Sequence, residues 1–282
     1  MSQEADESTL STYTASDGDN LAVQDWHLPP GTWPRASVLL VHGLGEHAGR
    51  YDGLARMLNR WGCVVRGYDQ HGHGRSGGAR GALPQESRLL DDLADLVEST
   101  RKRTSRLPLI LLGHSLGGLV AAGLVARRMA PVDGLVLSSP ALAPRLDPVQ
   151  KLLLAIVPRV APNLAVSNGL DPRFLSHDPA VVQAYRNDPL VHDRISGRLA
   201  RFIVQEAAAV RACAPRWSVP TLLLYAGDDR MVDPKGSASF AAAAPRDVVD
   251  ACRFDGYYHE IFNEQRAQPV FTRLRQWLDA RF

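Results

Sequence analysis

The stretch that most constrains this chain is Leu107-Pro108-Leu109-Ile110-Leu111-Leu112-Gly113-His114-Ser115-Leu116-Gly117-Gly118-Leu119-Val120-Ala121-Ala122. An apolar run of strand length, opened by a proline, passes through Gly113-His114-Ser115-Leu116-Gly117 into an Ala/Leu/Val-rich segment with helical spacing. A buried strand, a tight turn carrying a serine and a buried helix form the setting of a Gly-x-Ser-x-Gly elbow. The turn holds Ser115 in a strained conformation, while Gly113 and Gly117 lack the side chains that would collide where strand and helix meet. Ser115 Oγ then stands above the carboxyl edge of a sheet. The backbone N–H of Leu116, at the start of the helix, points at any oxyanion formed there.

Such an elbow requires parallel neighbours, and the rest of the chain supplies them. Residues 12–14 and 21–26 flank Asp17-Gly18-Asp19-Asn20 and predict an antiparallel hairpin. Continuous apolar runs at 37–41, 63–68, 134–139 and 221–226 read as strands buried on both faces, with a further strand at 247–254. Helical patterns fall between them at about 50–61 and 85–103, and a last helix is expected at about 268–281. Strands separated by helices mean crossovers and a mostly parallel sheet covered on both faces, an α/β fold. The alternation breaks once. From Ala143 to about Val219 no strand is expected, only helical fragments at 149–157, 179–186 and 195–213. This predicts a core built from 1–142 and 220–282, with 143–219 inserted as a helical cap. Within the cap, Lys151 to Val157 is apolar nearly all round. It is either simply buried in the cap or presents one side to a substrate cavity or, transiently, to membranes or micelles. The substrate lining is expected at about Leu146 to Val157.

A serine hydroxyl needs a histidine to take its proton and a carboxylate to orient that histidine. On a sheet of this kind the partners follow the serine in the order acid, then histidine, at the ends of later strands. Of nine histidines, His177 and His192 fall in the cap, and only His259 follows the last strand pattern. The acid is expected in Gly227-Asp228-Asp229-Arg230-Met231-Val232-Asp233. Asp229 is the preferred candidate there, with its neighbours read as turn or helix-cap residues. The second oxyanion donor is assigned to the N–H of Leu44, in the loop after the strand ending at Val41, where His42 is expected to brace the loop. His71-x-His73 lacks further ligands at a metal-binding spacing. No metal or cofactor is expected, because neither a phosphate loop nor a dinucleotide fingerprint is present.

With 282 residues, 45% hydrophobic and 22% charged, the chain can bury one large core, and a net charge of +2 gives no push toward nucleic acid. Three scattered cysteines argue against a disulfide framework. The N-terminus has neither the basic start nor the apolar core of a signal peptide, and no window has the length of a membrane span. A cytoplasmic location, with peripheral membrane contact through the cap, is the expectation. Oligomeric state is not encoded in any of these features.

Five segments together resemble the monoacylglycerol lipase/lysophospholipase group of serine α/β-hydrolases: His42-Gly43-Leu44-Gly45-Glu46-His47 with Arg50-Tyr51, Asp69-x-His71-Gly72-His73-Gly74-x-Ser76, Gly113-His114-Ser115-Leu116-Gly117-Gly118, Asp229-Arg230-x-Val232-Asp233, and Tyr258-His259-Glu260. The resemblance implies the α/β-hydrolase fold with a lid where the cap falls. It implies a triad of Ser115, Asp229 and His259, with Asp229 favoured over Asp228, and an oxyanion hole from the amides of Leu44 and Leu116. The activity implied is hydrolysis of monoacylglycerols to fatty acid and glycerol. Lysophospholipase or general carboxylesterase activity is the alternative, followed by a serine aminopeptidase or a non-catalytic binding protein on the same fold.

Overall fold

The structure is a computed structural model and describes residues 8–145 and 161–282. An eight-stranded sheet is formed by β1 (Thr9–Thr14), β2 (Asn20–Trp26), β3 (Ala36–Val41), β4 (Cys63–Tyr68), β5 (Leu109–His114), β6 (Gly134–Ser138), β9 (Thr221–Ala226) and β10 (Val249–Phe254). Its order is β1-β2-β4-β3-β5-β6-β9-β10. From β4 to β10 every neighbouring pair is parallel, whereas β1 and β2 form the expected antiparallel hairpin, joined antiparallel to β4.

The apolar runs explain the two-sided core. Successive side chains of a strand point to opposite faces. Leu39, Val41, Leu111, Leu135, Leu137 and Leu223 therefore pack on one face, against α2 (Arg88–Arg103) and α3 (Leu116–Arg127). Val38, Leu40, Ile110, Leu112, Val136, Leu222 and Leu224 pack on the other, under α1 (Asp52–Arg60) and α7 (Gln268–Arg281). A helix that is buried all round, like α3 from Leu116 to Val125, has to be apolar all round. That accounts for its missing amphipathic stripe.

Between β6 and β9 lie α4 (Pro179–Asn187) and α5 (Gly197–Cys213). Each begins at a capping side chain: Asp178 accepts from the Ala180 N–H and Ser196 from the Leu199 N–H. The expectation of no strand in this stretch is corrected. Ala165–Ser167 (β7) and Arg194–Ser196 (β8) pair antiparallel. Three-residue strands are too short to show an alternation, and their partners lie far apart in the chain. The expected helix at 149–157, and with it the proposed lining at about Leu146 to Val157, lies outside the described residues. The sequence patterns also left α6 (Pro234–Ala243) unassigned. Its start was legible, since Asp233 accepts from the Lys235 N–H and Pro234 opens the helix. The helix expected from about 85 begins at Arg88. Among the described residues no helix is long and apolar enough to cross a membrane.

Candidate active site

Ser115 sits between β5 and α3 with φ 52° and ψ −117°. Among the described non-glycine residues, positive φ occurs only at Ser115, Arg128 and Ser139. The strained turn is held by its neighbours: the Ser115 N–H donates to Ser138 O at 3.0 Å, and Ser115 O accepts from Leu119 and Ala141. The glycines of the elbow are required by contact. A Cβ on Gly113 would lie 2.4 Å from Gly117 O, and one on Gly117 would lie 2.1 Å from Val41 O. Leu116 is the first residue of α3, so its N–H has no acceptor within the helix.

The two other expected partners come from the ends of β9 and β10. His259 Nδ1 and Asp229 Oδ2 are 2.6 Å apart, both side chains buried. The second oxygen, Asp229 Oδ1, accepts from the N–H groups of Met231 (2.8 Å) and Val232 (2.9 Å). Asp229 is thus the aspartate of its segment that reaches His259, while Asp233 is spent on capping α6. Burial alone would raise the Asp229 pKa, but the His259 charge, its hydrogen bond and the two N–H donors hold it below the ordinary value. Burial would lower that of His259, yet the Asp229 charge and hydrogen bond leave it raised. Such a pair fixes the imidazole with its proton on Nδ1, leaving Nε2 to act as acceptor.

Leu44, Ser115 and Leu116 line one cavity of about 110 Å³. Among the described residues its apolar walls include Ile203 and Val204 of α5, Ile195 of β8, and Met231 and Val232 after β9. Arg145 and Asn168 add polar groups. Arg145 also donates to Asp229 O at 3.0 Å.

Sequence reasoning gave no role to a buried network behind this site. Glu46 Oε1 accepts from the Gly43 N–H and the Tyr51 hydroxyl, each at 2.6 Å. Arg50 pairs with Glu46 Oε2 and makes a two-pronged contact with Glu260, at 2.7 and 2.9 Å. One guanidinium thereby ties the Leu44 loop to the segment carrying His259. Burial would raise the Glu46 pKa, but Arg50 and the nearby histidines bring it down to about 2. The signal was present as charged residues flanking a glycine-rich loop and a histidine, but nothing in their spacing showed that they meet. His114, whose ring lies 4.7 Å from that of His259, is held down to about pKa 4 by burial and by His259. It is a neutral neighbour. His42 braces its loop: Nδ1 bonds Gly43 O at 2.7 Å and Nε2 accepts from the Gln70 N–H at 2.8 Å. His73 packs against the rings of His42 and His192, and His71 faces Asp19.

Residues 32–266 match the sequence profile of the family described as serine aminopeptidase, S33 (Hydrolase_4). The chain belongs to this family of serine α/β-hydrolases. It is 34% identical over 252 residues to a monoacylglycerol lipase of Mycolicibacterium smegmatis, covering 88% of this chain and 90% of that one. The crystal structure of a Paleococcus ferrophilus monoacylglycerol lipase superposes with a TM-score of 0.81 at 33% identity, covering 98% and 100% of the two chains. An uncharacterized abhydrolase domain-containing protein of Dictyostelium discoideum is 33% identical over 279 residues. In that case the chain spans 97% of itself but only 29% of its relative. By this kinship the chain is a serine ester hydrolase of the lipase/esterase kind.

Proposed function

We propose that the chain cleaves monoacylglycerols to a fatty acid and glycerol through an acyl-enzyme formed on Ser115. The observation that carries the reading is the buried Asp229–His259 pair at 2.6 Å in a chain whose strained Ser115 opens onto an apolar cavity. In the first step His259 Nε2 takes the Ser115 hydroxyl proton as Oγ attacks the acyl carbonyl. Asp229 holds the ring in the tautomer that can accept and stabilises the imidazolium. The oxyanion is received by the N–H groups of Leu44 and Leu116. The imidazolium then gives its proton to the departing glycerol oxygen. Water, deprotonated by His259, attacks the acyl-enzyme and releases the fatty acid. No metal or cofactor enters any step.

The apolar walls from α5 and β8 suit an acyl chain, and the 143–219 insert is assigned as the cap that encloses it. The relatives named monoacylglycerol lipase favour glycerol as the alcohol. A second reading, cleavage of lysophospholipids, draws support from Arg145 in the cavity lining, since a guanidinium suits a phosphate head group. Turnover of a medium-chain monoacylglycerol, lysophosphatidylcholine and an aminoacyl-p-nitroanilide, measured side by side, ranks these substrates. Ser115→Ala is expected to lose monoacylglycerol hydrolysis and fluorophosphonate labelling together. A folded variant that keeps its turnover would refute the assignment.

A further inference from the structure

A larger cavity, about 460 Å³, lies at the other end of the sheet, beside the amino ends of β3 and β4 and the last turn of α2. Its volume falls within the range of small-molecule pockets, roughly 300–1,000 Å³, and it is separate from the catalytic cavity. Ser37 lines it near the start of β3, whereas Gly43 and Leu44 follow the far end of the same strand.

The lining is amphipathic in an ordered way. Pro34, Val64 and Leu107 supply an apolar floor. Asp25 and Arg66 are a buried, two-pronged pair at 2.8 and 3.0 Å, so the one carboxylate in the lining is already neutralised. Arg103 approaches the same carboxylate at only 3.6 Å, with 57% of its side chain exposed. Arg106 also lines the cavity and has no ion-pair partner among the described residues. The rim therefore carries surplus positive charge.

We infer that this cavity is a second, non-catalytic binding site for a free aliphatic carboxylate, its tail on the Pro34–Val64–Leu107 floor and its head group at Arg103 and Arg106. A bare inorganic anion would leave the apolar floor uncovered, and an uncharged lipid would leave the guanidinium rim unused. A compound with one anionic group and an apolar body satisfies both, and an ester hydrolase acting on lipids releases compounds of this class. The site does not depend on the identity of the ester cleaved at Ser115.

The test is equilibrium dialysis of decanoate against the full chain whose Ser115 has been blocked with a phosphonate, which removes the catalytic cavity as a competing site. The expected result is one saturable equivalent per chain. Arg103→Glu/Arg106→Glu should weaken it at least tenfold, and the exposed single change Arg106→Glu should weaken it measurably with an unaltered thermal melt. Decanol should bind at least tenfold more weakly, and acetate should fail to compete at equal concentration. Loss of all binding on the blocked chain would overturn the inference, since decanoate would then occupy the catalytic cavity alone. Equal affinity of the arginine variants, or equal competition by acetate, would overturn it as well. If Ser115 takes no phosphonate, the proposed function fails separately and the arginine variants decide this site by themselves.

Discussion

The substitution Gly117→Ala isolates the contact that joins the elbow to the proposed oxyanion loop. A Cβ at this position would lie 2.1 Å from Val41 O, 2.3 Å from His42 O and 2.5 Å from Val41 C. All three atoms are backbone, so no side chain can rotate away, and α3 and the end of β3 must part by about 1 Å to restore ordinary contact. Forced overpacking of a core costs about 3 kcal/mol at the upper end of its usual range. For a chain of this size each kcal/mol moves the melting temperature by roughly 2–4 °C, so the expected loss is about 6–12 °C. The displaced atoms lead directly into Gly43 and Leu44, the loop assigned to the second oxyanion donor. A misplacement of about 1 Å can lower turnover roughly a hundredfold, and the loss should fall on kcat more than on KM. The control is Gly53→Ala in α1, where an added Cβ meets nothing within 4 Å. It should stabilise the chain by about 0.5 kcal/mol and leave kcat alone. Differential scanning fluorimetry and initial rates on a soluble p-nitrophenyl ester read both variants. A Gly117→Ala chain melting within 1 °C of the parent at this precision, roughly the error of such scans, would refute the packing argument.

The proposed mechanism requires neutral His259, whose pKa is raised by Asp229 above its ordinary value of 6.5. The acid limb of kcat/KM should therefore lie above that value and move to lower pH in Asp229→Asn, which should also lose roughly ten-thousandfold in kcat. A parent limb lying below the ordinary histidine value would contradict the assignment. Glu46→Ala removes the acceptor for the Gly43 N–H and the Tyr51 hydroxyl and one of two carboxylates on Arg50. Because Glu260 still holds the guanidinium, the cost should sit near the lower end for a broken buried pair, about 3 kcal/mol, and a melt unchanged from the parent would speak against it. Burial pushes the Cys63 thiol up to about 11, with Arg35 offsetting it only in part, so iodoacetamide near neutral pH should modify Cys63 only in denaturant. Peptide mapping of the native, alkylated chain checks this.

Local chemistry explains which parts of the candidate site were readable from sequence. Ser115 is flanked by glycines whose absence of side chains is written into the chain itself, and His259 is singled out because it follows the last strand pattern. Asp229 was harder, since three aspartates share its loop. What separates them is three-dimensional: Asp233 turns to the N–H of Lys235 at the start of α6, while Asp229 receives two N–H groups on one oxygen and His259 on the other. The strands β7 and β8 were unreadable for a different reason, because three residues cannot display a period of two and their pairing is settled by tertiary contact. The Glu46–Arg50–Glu260 network was the least legible part, since Arg50 and Glu260 are 210 positions apart. Each of its members, read alone, is a charged residue that composition assigns to the surface. Burying an arginine is tolerable only when its donors are met, and here Glu46 reports to the loop bearing Leu44 while Glu260 adjoins His259. The same guanidinium that had to be paired for the core to close therefore fixes the spacing between the loop bearing Leu44 and the segment bearing His259. Stability and site geometry are set at this point by a single residue, which is why removing Glu46 should register in both the melt and the rate.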